Sequence, residues 1–154
     1  MVFNASKHSP KILISACLLG ENVRYDGGNN FQNHSFLKQD IFIPICPEVS
    51  GGLSTPRIPA EIKEDRVINQ EGDEVTAAFR KGASDALFIA KRHHIKIAIL
   101  KDKSPSCGNH NVYDGTFSKT LIAKMGVTTA LLSEHGISVF NENEIDEAML
   151  AYSK

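Results

Sequence analysis

Residues 75–100, VTAAFRKGASDALFIAKRHHIKIAIL, change hydrophobic period once, and that change decides the fold class. Val75, Ala78, Phe79, Gly82, Ala86 and Ile89 recur at spacings of three and four, the signature of one face of an amphipathic helix. Past His93 and His94 the period disappears into the apolar run IKIAIL at 95–100, which reads as a strand fed by that helix. The two histidines end the helix, where cationic side chains favour the dipole, so they are expected to be structural rather than ligating.

Two further runs of the same kind lie upstream. KILISAC at 11–17 is too short for a typical helix and rich in β-favouring residues, and it reads as a buried strand. IFIPIC at 41–46 contains Pro44, which cannot donate to a ladder and so marks an edge or irregular strand. Downstream, Ser118 is expected to cap a helix running from Lys119 to Met125 and ending at Gly126. Thr128 is expected to cap the next helix, to about His135, with Gly136 ending it, a strand at 137–140, and a terminal helix starting at Asn143. Strands alternating with helices imply a mostly parallel sheet covered on both faces. The expected fold is therefore a single-domain α/β three-layer sandwich, Rossmann-like or flavodoxin-like, with about four strands over residues 11–154 behind an N-terminal extension at 1–10.

With 154 residues the chain is large enough for a real core in one domain. Its 17 Lys and Arg balance 18 Asp and Glu, and no basic stretch offers a stripe for tracking phosphates, so no nucleic-acid polymer is expected as partner. The N-terminus, MVFNASKHSPK, has no apolar signal core and no run approaches the length of a membrane span, so a cytoplasmic protein without a membrane partner is expected. In that reducing compartment cysteines stay thiols.

The chain has three cysteines, Cys17, Cys46 and Cys107, each where an expected strand gives way to a loop. Open α/β sheets bind ligands beyond the carboxyl ends of their strands, so three thiols separated by 29 and 61 positions would converge there through the fold alone. Three ligands with one open coordination position suit a metal centre that does chemistry. Independent burial of three small apolar side chains is the plain alternative. Structural zinc usually shows closely paired cysteines, and none are present. Glu48, two residues after Cys46, could serve as a general base or cap the turn that follows; Ser104 could face the site or make an ordinary turn before Pro105. Arg24, Tyr25 and Asp26 in one polar turn, and Ser50, Gly51 and Arg57 in another, could contact a polar ring or an anion. His110, three residues beyond Cys107, is not expected to be a ligand.

CLLG at 17–20, VRYDGG at 23–28, CPEVSGGLSTPR at 46–57 and KDKSPSCG at 101–108 together resemble the thiouracil desulfidase family, over nearly all of residues 11–150. The resemblance implies a 4Fe-4S cluster held by Cys17, Cys46 and Cys107, with one iron open to the sulfur of a thiolated pyrimidine, and it implies catalytic roles for Glu48 and Ser104. The expected activity is non-redox desulfuration of a thiolated base such as thiouracil to the oxo base and sulfide. A sulfur-carrier or sulfide-sensing cluster protein, and a metal-free nucleotide-binding module, are the alternatives. The expected partner is a small thiolated base, and the expected assembly a monomer or weak homodimer.

Overall fold

The computed structural model describes residues 9–154. In chain order its elements are β1 (Ile12–Ser15), β2 (Phe42–Ile45), α1 (Pro47–Ser50), β3 (Ala60–Lys63), β4 (Arg66–Asn69), α2 (Thr76–Arg92), β5 (Ile97–Ile99), β6 (Asn111–Tyr113), β7 (Leu121–Ala123), α3 (Val127–Glu134), β8 (Ser138–Phe140) and α4 (Ile145–Tyr152). The expected N-terminal extension falls, through residue 8, outside the described residues.

β1, β2, β5 and β8 form a parallel sheet of order β2-β1-β5-β8. Counting only these strands, the order is second, first, third, fourth, which is the flavodoxin-like arrangement. The three-layer expectation holds, and the sequence of β1 explains it. Ile12 and Ile14 pack with Ile97, Ile99, Ile145 and Ala148 on the α4 side, while Leu13 packs with Ala86, Ala90, Ala98 and Leu132 on the side of α2 and α3. Successive side chains of a strand point to opposite faces, so a run apolar at every position requires cover on both. Ile12, Leu13 and Ile14 are each 0% exposed, and full burial of such a side chain contributes roughly 1.5–3 kcal/mol. Pro44 lies on β2, an outer strand of the sheet, where a missing donor is tolerated.

Three segments depart from expectation. Residues 60–69 form the β3–β4 hairpin, which the apolar-run reading passed over. The segment 118–125 is not a helix: Leu121–Ala123 is strand β7, paired antiparallel with β6. Ser118 bonds the hydroxyls of Thr116 and Thr120 instead of capping a helix. Gly126 ends nothing; it is the N-cap of α3. An added Cβ there would collide with the Ser106 carbonyl, so the glycine serves close packing against the 104–108 loop. Thr128 consequently sits inside the first turn of α3, fully buried, with its hydroxyl 2.7 Å from that of Ser106.

Candidate functional site

Cys17 lies in a 3-10 turn (Ala16–Leu19) directly after β1, Cys46 follows β2 as the N-cap of α1, and Cys107 sits in the loop after β5. β1 and β5 are neighbours whose connections leave in opposite directions, so the crevice between them is the topological switch point of the sheet. A cavity of about 460 Å³ opens there, and all three cysteines line it together with Glu48 and Ser104.

Burial raises the pKa of each thiol, with Cys107 pushed up to about 12. Asn30 opposes the rise at Cys17 by donating to its sulfur at 3.4 Å. Thiols become ligands when a cation displaces their protons. Among the described residues no group of three His, Cys, Asp or Glu side chains is gathered as a single metal ion would need.

The third loop is fastened from two sides. Asp102 is buried, and its Oδ1 accepts the backbone N–H groups of Lys103, Asn109, His110 and Asn111 at 2.9–3.3 Å. Burial raises the pKa of this carboxyl, but those four donors outweigh it and hold it below the usual range. From the other side the opening amides of α3 donate to the loop, Val127 to Pro105 and Thr128 to Ser106, at 2.9 and 2.8 Å. Donors that a helix start would leave orphaned thus hold the cysteine loop in place.

Ser104 makes the expected turn and also faces the cavity. Its Oγ accepts from the N–H groups of Ser106 and Cys107, both at 3.1 Å. Both lone pairs are engaged, so the hydroxyl proton remains available for donation. Glu48 is in the first turn of α1, with its side chain 18% exposed and 3.3 Å from the Arg57 guanidinium. Burial pushes its pKa up and Arg57 opposes the rise. Arg57, 7% exposed, also donates to the Val23 carbonyl at 2.8 Å, and its buried Nε has no hydrogen-bond partner.

Of the remaining expected contacts, Arg24, Tyr25 and Arg57 line the cavity, whereas Asp26, Ser50 and Gly51 do not. Asp26 is turned to the surface in an ion pair with Arg24 at 2.7 Å. Ser50 spends its hydroxyl on Asp85 of α2. Gly51 is a packing glycine: an added Cβ would collide with the carbonyl of Ala78 on α2. His110 pairs with Glu144 at 3.0 Å and is absent from the cavity wall. The sequence reading missed the outer wall, which includes Glu61, Gln70, Tyr113, Phe117 and Lys119. These come from the two hairpin regions, joined where Glu61 accepts the N–H groups of Gly115 and Phe117 at 3.0 and 3.1 Å. Lys101, the first residue of KDKSPSCG, also lines the cavity and pairs with Glu142 at 2.9 Å.

Fold and site together define a flavodoxin-like α/β protein with a thiol-rich ligand crevice at its switch point. The chain belongs to the 2-thiouracil desulfurase family, whose model matches residues 12–144, and it is thereby an enzyme acting on a carbon–sulfur bond. It is 38% identical over 150 residues to the uncharacterized protein YbbK of Bacillus subtilis (strain 168), across 90% of this chain and 99% of that one. It is 44% identical to a solved structure, the [4Fe-4S]-dependent thiouracil desulfidase TudS, with a TM-score of 0.92, across 94% of this chain and 99% of that one. The family read from the motifs is upheld. Among the described residues no helix is long and apolar enough to cross a membrane.

Proposed function

We propose that this chain removes sulfur from a small thiolated nucleobase such as thiouracil by net hydrolysis, with Cys17, Cys46 and Cys107 holding a [4Fe-4S] cluster. One observation carries the reading: the three thiols, Glu48 and Ser104 line the same cavity, although they come from the ends of three strands. The likeness to a [4Fe-4S]-dependent thiouracil desulfidase at 44% identity supports the choice of cofactor and substrate. The donor set fits the cluster in its chemistry: three cysteine thiols, the ligand type that holds iron–sulfur clusters, line one cavity. When bound through three thiolates, such a cluster offers an iron with an open position, a Lewis acid toward a thiocarbonyl sulfur.

The chain's own residues do the rest. Glu48, with a pKa raised by burial, takes a proton from the water that attacks the ring carbon. Arg57 holds that carboxylate at 3.3 Å and limits how far its pKa rises. Ser104, with its lone pairs occupied, donates its hydroxyl proton to the charge that develops on the ring. The C=S bond is replaced by C=O and the two water protons leave with sulfur as hydrogen sulfide. No oxidation state changes, so the reaction needs no reductant.

A cavity of about 460 Å³ is of the size that takes small organic ligands, which favours an organic substrate over a sulfide carrier or sensor. The test is to incubate anaerobically reconstituted protein with thiouracil and no electron donor. Equal amounts of uracil and sulfide are expected. Cluster-loaded protein that releases neither overturns the proposal.

A further inference from the structure

The loop after Cys17 folds back onto that cysteine. The backbone N–H of Asn30 donates to the Cys17 carbonyl at 3.0 Å, and its side-chain Nδ2 donates to the Cys17 sulfur at 3.4 Å. The orientation of this amide is dictated from behind. Arg24 Nη1 lies 3.2 Å from Asn30 Oδ1, and a guanidinium has donors only, so the amide oxygen must face Arg24 and the NH₂ must face the sulfur. Arg24 is itself clamped by a two-pronged pair with Asp26, at 2.7 and 2.9 Å, and by the Asn29 carbonyl at 2.8 Å. The glycines of the turn make room for this. An added Cβ at Gly28 would run into the guanidinium, and Gly27 has a φ of +84°, which favours glycine.

We infer that Asn30 is a positioning residue for Cys17, that the Asp26–Arg24 pair fixes its amide, and that residues 23–30 supply an oriented N–H donor to one cluster ligand. This rests on the proposed cluster. Asp26 lies off the cavity wall, as a residue acting through Arg24 would. An N–H donor on a ligating sulfur favours the more negatively charged, reduced form of a cluster and restrains the ligand from leaving.

The test compares anaerobically reconstituted wild-type protein with Asn30→Ala, Arg24→Gln and Asp26→Asn, reading the cluster's midpoint potential and its half-life under an iron chelator. Asn30→Ala is expected to move the potential negative and to shorten the half-life several-fold. Arg24→Gln should do the same to a lesser degree, and Asp26→Asn less again. If Asn30→Ala does not load, Asn30→Asp keeps the size and the Arg24 contact while withdrawing the donor, and the same direction is expected. Wild-type values for the Asn30 variants overturn the inference. So does an Arg24→Gln protein whose KM rises at unchanged potential and half-life, because Arg24 would then be a substrate contact. Wild-type protein that takes up no iron refutes the cluster itself, which is a separable result.

Discussion

At the scale of single residues, Glu48 is caught between burial, which drives its carboxyl toward the neutral form, and Arg57 at 3.3 Å, which draws it back. Glu48→Gln preserves the shape and an oxygen for Arg57 to donate to while removing the titrating group. The cluster absorbance should be retained and thiouracil turnover should fall by about 10²–10⁴-fold, the usual share of general acid–base catalysis, as measured by sulfide release. Unchanged turnover would remove Glu48 from proton transfer. The cysteines were legible in the sequence because few residues of that type occur, Cys17 and Cys46 each ending an apolar run and Cys107 standing in the loop that follows a third. Glu48 and Ser104 were legible because they stand two and three residues from a cysteine. Asn30 was not: its link to the Cys17 sulfur spans 13 positions and depends on a folded turn.

Among the elements, α1 and α2 meet through glycine. An added Cβ at Gly82 of α2 would collide with the Pro47 carbonyl, and one at Gly51 with the Ala78 carbonyl. Gly82→Ala should therefore force apart the helix that carries Glu48 and its support, at a cost of about 1–3 kcal/mol. In a chain of this size each kcal/mol lowers Tm by about 2–4 °C, so calorimetry should show a clear drop. A wild-type Tm would mean that the interface can relax. The loop of Cys107 depends on Asp102 in the same way. Asp102→Ala strands four backbone donors and should destabilise the protein by about 1–3 kcal/mol at neutral pH. The folded pKa of Asp102 lies below the unfolded carboxylate value of about 3.9, so its contribution is present above that pH and fades as pH falls through the folded value. The stability gap between wild type and Asp102→Ala should therefore narrow below about pH 4. A gap that is constant with pH would deny the carboxylate this role. The short hairpins escaped the sequence reading for a related reason. Leu121 and Ile122 are 38% and 39% exposed, so nothing in that segment marks a buried period, and β7 exists through its pairing with β6.

For the molecule as a whole, the parallel sheet was readable because strands covered on both faces are apolar at successive positions, as in Ile12, Leu13 and Ile14 of β1. The sheet order then did what no local motif could, bringing the ends of β1, β2 and the loop after β5 to one crevice. The outer wall, supplied by hairpins set within the crossovers, stayed hidden because its residues share no period and no neighbouring motif. In the proposed ligation, thiols from three separate strand connections make the cluster a property of the folded sheet. The most direct test is the iron content of anaerobically reconstituted protein, measured beside Cys17→Ser, Cys46→Ser and Cys107→Ser variants. Wild type should hold roughly four irons per chain and each variant markedly fewer. Wild-type protein with no more iron than the variants would contradict the account.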